Sequence, residues 1–380
     1  MKSKTIIVGG GSAGMSCALK LQEENQDFLL VTDILGGRMR YSEEEKVNFG
    51  AYFIMANYEN AKKLVTRETL LNPFKACFHN SSTQYFPLVS FHTLTRAGEY
   101  LRFRKMMKEF QAHYEPYKEK CMVMTQKDAM ESDPYMADLF VKPASQLIKE
   151  KRIEKFAFDY ASKFSYACTG VSMDKITALD FCNVSMGMMV PIHRFKFDQK
   201  RMAAKLGKNL VIDAIEKIET TNGKHFLTGK SGEIYEADNV VIATPAIVTK
   251  ELLNLKEIRE SCKLYVFHVK CKLKQPYAKY DMNLFPFESE FIFTSIQDDG
   301  TQLIYSREKE VDLSKLCESY ELISRVDWDR AMYVTGRAYM EQQVGKSIYV
   351  AGDHNGLGLE PTACSGIYAA NQIIKNDKAK

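Results

Sequence analysis

The chain lacks the residue patterns of several common protein classes. It has nine cysteines, but no two of them form a C-x-x-C pair, so neither a disulfide framework nor a zinc site is predicted. Lys and Arg number 52 against 48 Asp and Glu, and a net charge of +4 is too small to favour nucleic-acid binding. We therefore expect no metal ion and no nucleic-acid partner.

Long hydrophobic runs are also missing. The apolar run at residues 6–8 is too short for the core of a signal peptide, and no stretch approaches the ~18 apolar residues of a membrane span. Scattered unpaired cysteines are typical of the reducing cytoplasm, where we expect this protein. A length of 380 residues with 45% hydrophobic content is sufficient for two or three globular domains.

The N-terminal segment has the pattern of a βαβ unit. An apolar run at Thr5–Val8 predicts a strand, Ser12–Glu24 has helical periodicity, and Phe28–Thr32 is a second apolar run. The turn at residues 9–14 has the sequence GGGSAG, which contains the G-x-G-x-x-G motif of dinucleotide-binding folds.

Each motif glycine has a distinct expected function. Gly9 permits the tight turn, Gly11 lets the backbone approach a pyrophosphate, and Gly14 lets the helix pack on the strand. The helix N terminus supplies free amide groups and a positive dipole for the phosphates. Asp33, nineteen residues after Gly14, is expected to bind the ribose hydroxyls of the nucleotide.

A second glycine motif follows the second strand. Residues 35–39 have the sequence LGGRM, and two glycines before an arginine allow close approach of the backbone to a pyrophosphate. Arg38 can neutralise phosphate charge. A nicotinamide-dependent dehydrogenase shares the first motif but has no use for this second one.

These motifs, together with several near the C terminus, resemble those of one flavoprotein superfamily, that of the FAD-dependent amine oxidases, protoporphyrinogen oxidases and phytoene desaturases. The small size and the run at residues 36–39 are also similar to renalase. The matching segments are Gly9–Gly14, Gly36–Arg38, Val47–Ala51, Ile242–Pro245, Trp328 with Ala331, Ile348–Asp353, Ser365–Gly366 and Ala369–Ala370. The chain departs from the pattern at residues 31–33, where relatives commonly have a glutamate followed two residues later by an arginine.

The resemblance implies an α/β fold, with a Rossmann-like FAD/NAD(P)-binding domain and a second, mixed α+β substrate domain. The expected FAD-binding domain is discontinuous and comprises residues 1–73, 190–260 and 326–380. The substrate domain takes residues 74–189, expected to be mainly helical with long helical patterns at Thr93–Tyr114 and Ala144–Phe164, and 261–325. Strands are expected at Tyr265–Leu273, Phe291–Ser295 and Thr301–Tyr305, and a final helix at Thr362–Ile374.

The resemblance also implies non-covalent FAD and a set of residues that contact it. Asp353 is expected at the ribityl hydroxyls, and the N terminus of the final helix is expected near the flavin. The full expected set is Gly9, Gly11, Ser12, Ala13, Gly14, Asp33, Gly36, Gly37, Arg38, Met39, Gly50, Ala51, Ile215, Thr244, Gly352, Asp353, Thr362 and Ala363.

The catalytic residues are less clearly indicated. By counting back from Pro276, His268 falls near the position where amine-oxidising relatives place a lysine beside flavin N5, although a structural histidine fits the same pattern. Tyr52 follows the motif at residues 47–51 and is a candidate aromatic on the flavin face, with core packing as the alternative.

The expected activity is two-electron oxidation of an organic small molecule by hydride transfer to flavin N5, with oxygen or another molecule as electron acceptor. An NAD-dependent dehydrogenase and a non-catalytic binding protein of the same fold, like the Rab GDP-dissociation inhibitors, are the alternatives. Basic segments at Arg102–Lys108 and Lys149–Lys155 could contact a membrane surface, but solvated amphipathic helices are the favoured interpretation.

Overall fold

The computed structural model describes residues 1–378, which form five sheets and twelve α-helices. The strands are β1 (Thr5–Gly10), β2 (Phe28–Leu35), β3 (Tyr41–Ser42), β4 (Val47–Asn48), β5 (Phe53–Met55), β6 (Thr66–Leu70), β7 (Ala76–His79), β8 (Tyr85–Pro87), β9 (Ile192–Lys196), β10 (Leu210–Ile212), β11 (Ile215–Thr221), β12 (Lys224–Gly229), β13 (Ile234–Ala237), β14 (Asn239–Ile242), β15 (Glu260–Leu273), β16 (Met282–Leu284), β17 (Phe291–Ile296), β18 (Gln302–Ser306), β19 (Cys317–Thr335), β20 (Gln343–Val344) and β21 (Ile348–Val350).

The helices are α1 (Ser12–Glu23), α2 (Phe91–Thr95), α3 (Ala97–Lys120), α4 (Gln126–Glu131), α5 (Pro134–Val141), α6 (Ala144–Glu150), α7 (Glu154–Phe156), α8 (Ser162–Thr169), α9 (Ala178–Ser185), α10 (Gln199–Leu206), α11 (Ala246–Leu253) and α12 (Leu359–Lys378). Among residues 1–378, no helix is both long enough and apolar enough to cross a membrane.

The first sheet has the strand order β10-β2-β1-β14-β21-β20, and all of its strands are parallel except the edge strand β20. Its central strand β1 is mainly apolar because both faces of the sheet are covered. Ile7 packs in the large core that contains α1 and α12, whereas Ile6 and Val8 pack against the β11-β12-β13 sheet on the opposite face. The α/β class and the dinucleotide-binding topology are thereby confirmed.

The second large sheet has the order β19-β15-β18-β17-β16-β7-β8. It contains the three strands that the sequence predicts between residues 265 and 305, and it also contains β7 and β8. These two strands come from the segment that was expected to be mainly helical. Strand β7 pairs in parallel with β16, so the inserted segment completes the sheet rather than standing apart from it.

Two predicted domain boundaries fall inside strands of the second sheet. The expected boundary at residue 326 lies inside β19, which pairs with β15 from Leu273↔Cys317 to Glu260↔Thr335. The second sheet therefore extends to Thr335 along β19 and includes Glu260 at the start of β15. The division of the chain into two domains stays a prediction.

The predicted continuous helix at Ala144–Phe164 is wrong. Helix α6 ends at Glu150, and the chain turns through Arg152, whose φ is +53°. The carbonyl of Arg152 accepts a hydrogen bond from Arg102 Nε at 2.8 Å, which stabilises the interruption. A π-helical turn at Ala157–Ala161 then separates α7 from α8. The predicted helix at Thr93–Tyr114 exists as α2 followed by α3.

A buried ion pair connects the helical segment to the start of β15. Arg259 Nη1 lies 2.9 Å from Asp180 Oδ2, and the side chains are 0% and 3% exposed. The guanidinium lies 5.6 Å from the centre of the Phe140 ring, and none of its nitrogens has a well-aligned hydrogen bond. The charge of Arg259 therefore depends on Asp180 for compensation.

We expect Asp180→Asn to destabilise the protein by about 3–5 kcal/mol, because it leaves a buried guanidinium without a counter-charge. The substituted amide would retain a side-chain oxygen for the other hydrogen bonds at this position. Urea unfolding measures the effect. The matched control is the double variant Asp180→Asn/Arg259→Met, which should recover most of the loss. A double variant as unstable as the single one would contradict this role for the charge.

Candidate functional site

The glycine turn joins β1 to α1 through two close backbone contacts. Gly9 has a φ of +107°, and a Cβ added there would lie 2.6 Å from the carbonyl oxygen of Ala243 at the end of β14. A Cβ at Gly14 would lie 1.9 Å from the carbonyl oxygen of Gly9. Any larger residue at these two positions would therefore force the helix away from the sheet.

Gly11 has a different environment. Its φ of −79° and ψ of −171° are extended backbone that any residue can adopt, and a Cβ there would meet no atom within 4 Å. It precedes α1 as the N-cap residue, and no side chain caps this helix end. The free amides of the first turn, which includes Ser12 and Ala13, thus sit beside open space at the positive end of the helix dipole. This combination suits an anionic phosphate group.

The second glycine motif closes over the first. The amide of Gly36 donates to the carbonyl of Gly10 at 2.8 Å, and a Cβ at Gly37 would lie 3.2 Å from Gly11 Cα. Gly50 packs against the backbone of Arg38 in the second motif, since a Cβ at Gly50 would lie 1.8 Å from the carbonyl oxygen of Arg38. The structure therefore brings the three predicted N-terminal motifs together.

Arg38 and Asp353 form the charged centre of the site. Arg38 Nη1 and Nη2 each donate to one carboxylate oxygen of Asp353 at 2.7 Å, and Nη1 also donates to the carbonyl of Ala331 at 3.0 Å. Burial acts to raise the pKa of Asp353, but the charge and hydrogen bonds of Arg38 outweigh it and hold that pKa below its usual range. The two side chains predicted to contact the cofactor thus contact each other.

His354 is a site residue that the sequence interpretation missed. Its side chain is buried, and neither ring nitrogen has a hydrogen-bond partner among the described residues. Burial lowers its pKa to about 4, so the ring is neutral at pH 7. The ring packs against its own segment, since a Cβ at Gly352 would lie 2.7 Å from His354 Nε2. The sequence signal that could have identified His354 is its position directly after Asp353 in the C-terminal motif.

The last helix completes the site. Helix α12 begins at Leu359, three residues before the predicted start, so Thr362 and Ala363 lie within its buried N-terminal part. Its backbone packs directly on α1, since a Cβ at Gly366 would lie 2.0 Å from the carbonyl oxygen of Ala13. The start of α12 is therefore fixed next to the start of α1.

The acidic residue predicted for the ribose is less well placed. Asp33 is exposed, and its carboxylate accepts a hydrogen bond from the adjacent amide of Ile34 at 2.8 Å. Thr32 points towards the glycine turn instead, where its Oγ1 accepts a hydrogen bond from the amide of Gly10 at 2.9 Å. Because side chains alternate along a strand, only one of these neighbours can face the turn. Ribose binding by Asp33 remains a prediction.

The remaining predicted residues occupy the surroundings of the turn. Ile215, at the start of β11, packs in the core beneath β1, and Thr244 Oγ1 bonds to Thr249 Oγ1 at 2.9 Å. Met39 is buried, Ala51 donates its amide to the carbonyl of Arg38 at 2.8 Å, and Gly352 donates its amide to a serine hydroxyl in α12.

Comparisons with known proteins agree with this architecture. A family model for an NAD(P)-binding Rossmann-like domain matches residues 7–67. A redesigned putrescine oxidase superposes with a TM-score of 0.74 at 13% identity, covering 99% of each chain. Cyclohexylamine oxidase from Brevibacterium oxydans IH-35A gives a TM-score of 0.67 at 13% identity over 100% of each chain. The chain has the amine oxidase fold. No curated protein sequence matches it significantly.

The amine oxidase fold also occurs in a protein with a different reaction. A fatty acid isomerase from P. acnes superposes with a TM-score of 0.69 at 12% identity, covering 98% of each chain. The shared fold therefore identifies the backbone arrangement of the site and leaves the substrate to be decided by side chains.

Within the amine oxidase fold, His268 lies on β15 and is buried. Its Nδ1 lies 2.6 Å from Glu45 Oε2, and its Nε2 lies 2.8 Å from Thr301 Oγ1. Thr301 Oγ1 donates in turn to Asp299 Oδ1 at 2.6 Å. Both ring nitrogens are thus engaged with protein groups, which is the contact pattern of a structural histidine. The catalytic role of His268 stays a prediction.

Tyr52 is likewise surrounded by protein groups. Its hydroxyl bonds to Ser295 Oγ and accepts a hydrogen bond from Arg194 Nε at 3.1 Å. Its ring contacts those of Phe293 and Tyr305, with centroid distances of 5.7 and 6.4 Å. These contacts describe core packing, so a role for Tyr52 on the flavin face also remains a prediction.

We expect the protein to lose stability as the pH falls from about 6.5 to about 4. The lowered pKa of His354 means that the unfolded chain binds a proton in this range while the folded protein does not. One such proton changes the free energy of unfolding by about 1.4 kcal/mol per pH unit. His354→Asn should flatten the profile by about one proton when unfolding is measured in urea at each pH. His79, whose pKa is also lowered to about 4, supplies the positive control, since His79→Asn should flatten the profile by a similar amount. An unchanged slope in His354→Asn would contradict the burial of a neutral ring.

We expect His268→Ala to lower the thermal midpoint, because it leaves Glu45 and Thr301 without their buried partner. Turnover per bound cofactor should change little. The catalytic hypothesis instead requires a loss of ~10²–10⁴ with retained stability. Thermal melts and turnover normalised to bound cofactor, measured on the same preparation, separate the two roles. Cys271→Ser, also on β15 but half-exposed, serves as a control for general effects on the strand.

Proposed function

We propose that this protein is an FAD-dependent oxidoreductase that oxidises an organic substrate. The observation that carries the proposal is the uncapped N terminus of α1 at Gly11, with open space above it and Arg38 and Asp353 close by. A glycine cradle at a positive helix end fits a dinucleotide pyrophosphate. The second glycine motif and the Asp353 segment favour FAD over a nicotinamide cofactor.

The residues at the site fit this cofactor in their chemistry. The amides of Ser12 and Ala13 would bind the phosphates, and Arg38 would add a cation. Asp353 would accept hydrogen bonds from ribityl hydroxyls, and each of its oxygens has lone pairs beyond the one used by Arg38. No covalent attachment is required by this arrangement, and we propose non-covalent binding.

When bound, FAD would supply an N5 atom that accepts a hydride from the substrate. The contribution of the protein is to bind the cofactor, orient it and exclude water. Asp353 is buried, and Arg38 is bonded to both of its carboxylate oxygens and to the carbonyl of Ala331, so the positions of both side chains are set before the cofactor arrives. Preorganisation of this kind reduces the entropy that binding costs.

The substrate class that we favour is a primary amine, and the support comes from the two oxidases with the same fold. The printed names of those proteins refer to putrescine and cyclohexylamine. The electron acceptor would be oxygen or another small molecule. Because the fatty acid isomerase shares the fold, the test panel must include unsaturated lipids as well as amines, porphyrinogens and reduced nicotinamides.

The direct test is to purify the protein and record its absorbance spectrum. FAD gives a yellow protein, and acid precipitation should release the colour into the supernatant. Anaerobic bleaching of the flavin by one member of the substrate panel then identifies the reaction. A colourless protein that does not take up FAD would contradict the proposal, and retention of NAD instead would favour the dehydrogenase alternative.

We expect Gly11→Val to fold normally and to bind no FAD. Its backbone is extended and its Cβ meets open space, so valine fits the protein but occupies the place of the phosphate. Gly14→Val is the matched control, because a side chain there collides with the carbonyl of Gly9 and should prevent folding. Circular dichroism and bound-flavin absorbance measure the two properties. If Gly11→Val retained full FAD content, the pyrophosphate would have to lie elsewhere.

Asp33→Ala should weaken FAD binding by only about one to two decades, the value of a charge-assisted hydrogen bond. Titration of the cofactor-free protein with FAD measures the change in affinity. An unchanged affinity would remove Asp33 from the ribose site.

A further inference from the structure

A cluster of exposed apolar side chains lies where α2 meets α3. Val89, Phe91, Leu94 and Leu101 are 66%, 81%, 69% and 62% exposed. Single exposed hydrophobic residues are normal on protein surfaces, but four of them within thirteen residues form a patch. Phe91 and Leu94 are three residues apart on α2 and therefore lie on the same side of that helix.

Contacts on the inward side of α2 fix the orientation of this helix. His92 Nε2 lies 2.8 Å from Asp159 Oδ2, and Arg96 Nε donates to the same oxygen at 2.7 Å. The ring of His92 also stacks on that of Phe86, with centroids 3.5 Å apart. Because His92 and Arg96 face inwards, the opposite side of α2, with Phe91 and Leu94, is directed towards solvent.

Three cations lie on α3 beside Leu101, one of the four apolar residues. Arg104, Lys105 and Lys108 line a shallow groove on α3 together with Leu101. Arg104 and Lys105 lie three and four residues after Leu101, and four and three residues before Lys108, so all four share one side of the helix. None of the three forms a salt bridge with any of residues 1–378. The nearby carboxylate of Glu109 is already paired with Lys151 at 3.1 Å.

We propose that this surface, formed by Val89, Phe91, Leu94, Leu101, Arg104, Lys105 and Lys108, docks on a membrane that contains anionic lipid. We call it the α2–α3 face. In such a membrane the protruding apolar side chains would contact the acyl chains, and the cations, which form no salt bridges, would contact the negative headgroups. The whole chain has a net charge of only +4, so its overall charge contributes little to this attraction and the three cations of this face supply it.

This proposal does not depend on FAD or on an enzymatic reaction. It revises the sequence interpretation of Arg102–Lys108 as a solvated amphipathic segment, because the exposed apolar residues that join it in the α2–α3 face all lie outside that segment. The inner face of α3, with Phe103, Met106 and Met107, is buried in the core and is not available to lipid.

The test is flotation of the full-length protein with vesicles. Phosphatidylcholine vesicles are compared with vesicles that also contain phosphatidylserine. The protein should partition at least about tenfold more strongly to the anionic vesicles at low ionic strength, and high salt should reduce this preference. Equal partitioning to both vesicles, or binding to neither, would overturn the proposal.

Variants then locate the surface. Arg104→Gln/Lys105→Gln/Lys108→Gln should reduce partitioning about a hundredfold, since each cation near an anionic membrane contributes roughly a factor of five. Its control is Lys230→Gln/Lys346→Gln, at two exposed lysines on other elements, which should bind as the unmodified protein does.

Phe91→Ser/Leu94→Ser should also release the protein from anionic vesicles. Its control is Leu322→Ser/Ile323→Ser, which removes two exposed apolar residues of β19. Equal loss in a control pair would overturn the assignment of the α2–α3 face. Thermal midpoint and bound flavin are measured for each variant and should not change, so the outcome for lipid is independent of the outcome for the cofactor.

Discussion

The contact between the N-terminal ends of α1 and α12 is the constraint on which the rest of the site depends. Gly366 packs on the carbonyl of Ala13 so closely that no side chain fits between them, and Ser12 Oγ donates to the carbonyl of Leu359 at 3.2 Å, so the two helix starts are adjacent. Two carboxylates lie in this region: Asp353 is paired with Arg38, and Glu360, in the first turn of α12, accepts hydrogen bonds from the amides of Asn60 and Ala61. The start of α1 has no acidic residue in its first turn and therefore keeps a positive potential that an anionic ligand can satisfy. In this way a backbone contact between residues far apart in sequence produces the binding properties of the cradle.

The fold of the dinucleotide-binding region could be predicted well from sequence, because the residues that determine it lie close together along the chain. Residues 9–14 contain three glycines with distinct structural functions. Gly9 forms the turn, Gly14 packs against a carbonyl and Gly11 leaves open space, as the sequence predicts. The strand and helix that flank them follow from apolar periodicity within short windows. Even the C-terminal motif is recognisable, because it repeats the same order of strand, glycine and helix.

Other features were not predictable because they depend on partners far along the chain. The strand periodicity at residues 31–33 does not show which of Thr32 and Asp33 faces Gly10, since the preference follows from a bulge between β1 and β2. Helical periodicity in the sequence continues across Arg152, although the helix is interrupted there in the structure. The hydrogen bond from Arg102 Nε to the Arg152 carbonyl, which stabilises the interruption, joins residues 50 positions apart and is therefore invisible in the local pattern. His354 had a local signal, its place after Asp353, but its lack of hydrogen-bond partners among residues 1–378 becomes visible only when the whole core is assembled.

The second sheet explains why cofactor chemistry is easier to infer than substrate. The polar side chains that sequence alone placed near the reaction, those of His268 and Tyr52, bind other protein groups and hold β15 and β17 to the N-terminal segment. Amine oxidases and a fatty acid isomerase share this backbone with the chain at 12–13% identity. Since the cradle is built from backbone atoms, it survives such divergence. The substrate face is built from side chains, and these change without altering the fold. Specificity must therefore come from side chains rather than from the shared backbone.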